Sequence, residues 1–137
     1  PTRDSAIVLL SVLLLARQEG KTISQLASAL PARYTASDRL KNCPPEKSRA
    51  VLARFSCGDD AADQRALDAV FESNFGKVSS LDRTDGLRVT FANGEIVHLR
   101  PSGNAPEFRC YNEAGSPERV NQINALCLDI LRNLAGV

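Results

Sequence analysis

From His98 to Arg109 the chain reads His-Leu-Arg-Pro-Ser-Gly-Asn-Ala-Pro-Glu-Phe-Arg, a segment rich in groups that can hold an anion. Arg100 and Arg109 each offer a planar fork of N–H donors, able to clamp a phosphate or carboxylate with paired charge-assisted hydrogen bonds. Ser102 and Asn104 add neutral donors, and Gly103 lets backbone N–H groups come close to a bound ion. Together the five describe an anion cradle on a loop between two strands. The same residues also describe a tight turn with solvated arginines, and spacing alone does not choose between the two.

Other polar groups have plainer readings. His98 alternates along a strand and reads as a strand-face residue, not a general base. Asp59, Asp60 and Asp63 supply too few oxygens at the wrong spacing for calcium and suit the capped start of a helix. Cys43, Cys57, Cys110 and Cys127 include no CxxC pair, and His98 is the only histidine, so no zinc site is expected. The thiols read as reduced, small core residues, with Cys110 on the face of Phe108. Residues 34–39 could approach a substrate but read better as an extended interdomain strand.

These groups need elements to position them. Thr22-Ile-Ser-Gln25 is a capping box for a short helix over 23–30, and residues 32–42 read as extended. Cys43-Pro44-Pro45 breaks the chain and is the expected domain boundary. Helices follow over 45–55 and from the Asp59–Asp60 loop to about Asn74. The period then changes to strands: 78–82, 87–91, one ending near Arg100, and 107–113. A two-residue turn at Asn93-Gly94 would set Val89 against His98. A three-residue loop instead pairs Val89 with Val97 and Leu87 with Leu99, so matching apolar faces favours the latter, with Gly94 left-handed. Ser116 and Pro117 start a last helix whose buried stripe is Val120, Ile123, Leu126, Cys127, Ile130, Leu131 and Leu134.

The 137 residues carry 17 Lys or Arg against 16 Asp or Glu, a net charge of +1, with five Phe, two Tyr and no Trp. That balance offers no global field for nucleic acid or anionic membrane. Residues 6–16 (AIVLLSVLLLA) are too short to span a bilayer and are flanked by charge, so they read as a helix buried in a larger protein, capped by Thr2 or Asp4 and ended by Gly20. The absence of Met, with Pro at position 1, suggests that translation begins further upstream.

Arg100-Pro-Ser-Gly-Asn-Ala-Pro106, with Arg109 three residues on, resembles the phosphate-binding loop of the α-D-phosphohexomutases. These are the phosphomannomutases, phosphoglucomutases and phosphoglucosamine mutases, whose loop commonly reads R-x-S-G-T-E-P followed by an Arg. Asp85-Gly86, the Asn93-Gly94 hairpin and the closing helix are similar to that family's C-terminal domain, and residues 1–43 to the end of its third domain plus a hinge. Asn104 stands where Thr is common and keeps a donor; Ala105 stands where Glu is common and lacks its carboxylate. The wording from Ser102 to Tyr111 is most similar to the phosphomannomutase branch.

The resemblance implies an α+β fold in which residues 44–137 form a four-stranded, mainly antiparallel sheet with helices on one face, like the TATA-box-binding protein. It implies a cytoplasmic enzyme moving phosphate between the 1- and 6-positions of a hexose phosphate through a bisphosphorylated sugar. The phosphoserine, the Asp-rich Mg²⁺ loop and the sugar-reading loop would lie in the missing N-terminal domains, leaving this chain inactive alone, without metal, and bound to the substrate's phosphate through Arg100, Ser102, Gly103, Asn104 and Arg109. The alternatives are a phosphoglucomutase or phosphoglucosamine mutase fragment, or a non-catalytic α+β module for a peptide or nucleic acid.

Overall fold

The computed structural model describes residues 4–137, in two compact units divided between Ala32 and Arg33. The first unit holds α1 (Ser5–Glu19) and α2 (Ile23–Ser28). Asp4 caps α1 by accepting the Ala6 N–H at 2.9 Å, and Gly20 ends it at φ +62°. Thr2, the other cap considered, lies outside the described residues. Thr22 and Gln25 form the expected capping box at α2. Ala16 is the only buried residue of α1, and Ile7, Val8, Leu9, Leu10, Leu13 and Leu14 are exposed. Among the described residues no helix is long and apolar enough to cross a membrane.

The second unit runs β1 (Tyr34–Lys41), α3 (Pro45–Ala53), α4 (Asp60–Phe75), β2 (Val78–Asp82), β3 (Leu87–Phe91), β4 (Ile96–Pro101), β5 (Glu107–Ala114), α5 (Pro117–Ala135). Its sheet has the order β1-β5-β4-β3-β2, every pairing antiparallel. Helices α3, α4 and α5 pack on one face, giving the expected α+β class. The strand count is corrected from four to five. Tyr34–Lys41, where sequence reads an extended interdomain strand over 34–39, joins the sheet as an edge strand along the whole of β5. Only Leu40 of that strand is buried and Ala36 half-buried, so it carries no alternating apolar signal.

Leu87 lies opposite Leu99 and Val89 opposite Val97, the register set by a three-residue loop, with Gly94 at φ +80°. The alternation is sharpest on β5, where Phe108, Cys110, Asn112 and Ala114 are buried and the residues between them face out. Against this inner face α5 buries Val120, Ile123, Cys127 and Leu131; Leu128 joins them, while Leu126, Ile130 and Leu134 are only half-buried. At the other end Phe71 contacts Phe55, Phe75 and Phe91. Each such fully buried side chain contributes roughly 1.5–3 kcal/mol. All four cysteines are unpaired thiols, as read from sequence, but Cys57 is exposed in the α3–α4 loop and is not a core residue.

Candidate functional site

Strand register builds the site, because residues directly opposite in an antiparallel ladder share a face. Arg100 on β4 lies opposite Arg109 on β5, and Arg109 lies opposite Arg39 on β1. Three arginines thus stand in a row across adjacent strands, on the face that the helices leave open. The neighbouring row runs Arg88, His98, Tyr111 and Ser37. The Arg39, Arg100 and Arg109 side chains are 51%, 47% and 40% exposed, open enough to meet a dissolved ion.

Like charges placed opposite one another in a ladder repel, and two carboxylates moderate the row. Asp85 holds Arg100 Nε at 3.0 Å through Oδ1. Glu107 divides its oxygens, with Oε1 3.1 Å from Arg39 Nε and Oε2 3.7 Å from Arg109 Nη2. Ser37, Asp38, Arg39, Arg109 and Tyr111 line an open cleft of about 340 Å³ beside the row. That volume sits at the lower end of roughly 300–1,000 Å³, the range for small-molecule sites.

The loop after β4 is tied down at several points. The Ser102 N–H donates to the Glu107 carbonyl at 2.9 Å, and the Cys43 N–H donates to the Pro106 carbonyl at 2.9 Å. Ser102 is buried, and its Oγ accepts the Asn104 N–H at 3.4 Å. Gly103 and Asn104 are exposed at the tip. A Cβ on Gly103 would touch nothing within 4 Å, so the fold itself does not demand glycine there and the space before the loop is open. At Gly86 the fold does demand it: φ is +84°, and a Cβ would lie 2.3 Å from the Leu99 carbonyl oxygen.

The other polar residues have structural occupations. His98 Nε2 lies 2.6 Å from the Asp85 carbonyl oxygen, which makes the ring an N–H donor to that turn, with Tyr111 beside it. Asp59 caps α4 by accepting the Ala61 and Ala62 N–H groups. Asp60 and Asp63 pair with Arg83. Buried Asp63 also accepts the Cys57 N–H, and that bond, followed by Arg83, holds its carboxyl below the ordinary carboxylate range. Among the described residues no group of three or more His, Cys, Asp or Glu could hold a metal ion. Their donor set does not fit Mg²⁺.

The five residues singled out from sequence therefore lie on β4, β5 and the loop joining them, with Arg100 and Arg109 side by side. Arg39 falls in the 34–39 stretch that sequence lets approach a substrate but reads better as an interdomain strand, because its place in the row depends on a pairing that leaves no apolar period.

A family model described as phosphoglucomutase/phosphomannomutase, C-terminal domain, matches residues 40–129. The chain is 39% identical over 136 residues to a phosphomannomutase of Salmonella muenchen, covering 99% of this chain and 27% of that protein. It is 35% identical over 133 residues to a phosphomannomutase of Sinorhizobium fredii, covering 97% of this chain and 27% of that one. A probable phosphoglucosamine mutase of Methanothermobacter thermautotrophicus is 26% identical over 114 residues, with coverages of 83% and 22%. The chain thus spans about a quarter of the length of the curated relatives it matches.

Proposed function

The chain belongs to the phosphoglucomutase/phosphomannomutase family, as its C-terminal part, and from that premise we propose that the open sheet face grips the phosphate of a hexose phosphate. The observation that carries this reading is the direct cross-strand pairing of Arg100 with Arg109, at the two ends of one exposed loop. In the proposed complex the two guanidinium forks clamp phosphate oxygens, and Asn104, the Gly103 backbone and the Ser102 hydroxyl complete the cradle. A phosphate held on a rigid sheet fixes the rest of the sugar, so that the far hydroxyl or phosphate meets the reacting group in line.

The proposed reaction of the full-length protein interconverts mannose 6-phosphate and mannose 1-phosphate through a bisphosphorylated sugar. The two phosphomannomutases share more identity, over more of the chain, than the phosphoglucosamine mutase does, which supports mannose phosphate over the alternatives. The phosphoryl donor, the Mg²⁺ ion and the sugar-reading loop belong, on this proposal, to other domains in the cytoplasmic enzyme. This chain contributes binding and no covalent step, and by itself it turns over no substrate.

The test is Arg100→Ala and Arg109→Ala in the full-length protein, assayed with mannose 6-phosphate. Losing one charge-assisted clamp should lower kcat/KM roughly 10- to 100-fold with circular dichroism unchanged. Wild-type kinetics in both variants would remove the row from the site.

A further inference from the structure

We propose that Arg39 is a third arm of the phosphate site and that Glu107 is the resident anion which the phosphate displaces; this rests on the reading of Arg100 and Arg109 given above. Arg39 extends the arginine row by one strand, directly opposite Arg109. Its guanidinium is half exposed and lines the cleft beside Arg109 and Tyr111. No part of the fold's core depends on its charge, since β1 is anchored by Leu40 and by the β1–β5 ladder.

Glu107 spans the two arginines, with one oxygen towards each. That arrangement puts a carboxylate where two forks converge, the position that an incoming phosphate oxygen needs. Two separations, 3.1 Å to Arg39 and 3.7 Å to Arg109, describe a loose clasp compared with the 2.7–2.9 Å typical of tight charge-assisted bonds. A phosphate dianion carries more charge than a carboxylate and can accept from several forks at once, so it competes well for the same donors. Glu107 then does two things. It relieves repulsion along the empty row, and it raises the threshold for weaker, singly charged anions, so the site favours a phosphate monoester over a carboxylate.

The remaining charged group lining the cleft is Asp38, whose Oδ1 accepts the Arg39 backbone N–H at 2.7 Å. That bond engages its carboxylate with the strand and fixes the strand backbone from which Arg39 projects.

The experiment uses the full-length protein with wild type, Arg39→Gln, Arg39→Lys, Glu107→Gln and Arg100→Gln. Inorganic phosphate is titrated as an inhibitor against mannose 6-phosphate, and each variant is melted to check folding. Arg39→Gln should raise both the phosphate inhibition constant and KM about tenfold, with Arg39→Lys recovering part of the loss. Glu107→Gln should tighten phosphate inhibition. Should Arg39→Gln match wild type while Arg100→Gln is impaired, Arg39 leaves the site and the reading of the loop stands. Should Arg100→Gln also match wild type, the reading itself falls. Weaker phosphate inhibition in Glu107→Gln would make Glu107 a positioning residue and overturn displacement. If Arg39→Gln melts early, Arg39→Ala replaces it, and wild-type binding together with wild-type KM in that variant, fully folded, overturns the third arm.

Discussion

Glu95 holds Arg119 with both carboxylate oxygens: Oε1 is 2.5 Å from Nε and Oε2 is 2.8 Å from Nη2. The pair fastens the loop before β4 to the first turn of α5, and Arg119 also reaches the Asn74 carbonyl near the end of α4. Glu95 is 8% exposed, so removing its partner strands a carboxylate away from water. Arg119→Ala should therefore destabilise the fold by about 2–3 kcal/mol, read from urea denaturation. Substituting both residues should cost less than Arg119→Ala combined with Glu95→Ala by simple addition.

Asp63 makes stability depend on acid. The Cys57 N–H bond and the Arg83 pair lower its folded pKa below the unfolded value near 4. Its contribution is complete above that unfolded value and is lost as pH falls through the folded one. Asp63→Asn should thus be less stable than wild type at pH 7, with a smaller gap at an acid pH below the unfolded value. Denaturation curves at the two pH values check this, and a gap that stays constant would refute it.

Gly86 should tolerate no side chain. Gly86→Ala places a methyl 2.3 Å from the Leu99 carbonyl oxygen in a backbone conformation with φ +84°. The loss should exceed about 1 kcal/mol in a thermal or urea melt. Asp85 sits next to it and holds Arg100, so phosphate affinity in the full-length protein should fall as well. Gly103→Ala, facing open space, should leave stability near wild type.

The four thiols should divide by rate. Cys57 is exposed and should react with a disulfide reagent in the native protein. Cys43, Cys110 and Cys127 are buried; burial raises the Cys43 thiol, and a side-chain hydrogen bond with Cys110 together with burial raises the Cys127 thiol. Those three should react only after denaturation, so counting modified cysteines by mass before and after adding urea checks the split.

Much of this architecture could be read from residues alone, and the reasons differ by element. The hairpin register followed from Leu87, Val89, Val97 and Leu99, because a slip by one would turn every apolar group outward. The helix caps at Asp4, Thr22 and Ser116 followed from local hydrogen-bonding chemistry. What escaped depends on distant partners. Tyr34–Lys41 buries little besides Leu40, so its pairing with β5 leaves no mark on its own sequence. Sequence gives residues 34–39 as a strand without a partner, so Arg39 had no reason to be placed beside Arg109. Leu128 fell outside the expected α5 stripe yet is buried as part of the hydrophobic core.

The pairing of β1 with β5 joins two of the most widely separated strands of the second unit, with β2, β3 and β4 all between them in sequence. Closing so long a loop costs more chain entropy than closing the local hairpins. The arginine row across β4, β5 and β1 therefore exists only once that closure is made. On the reading proposed here, phosphate binds the finished sheet and not the unfolded chain, and so stabilises the β1–β5 closure by mass action.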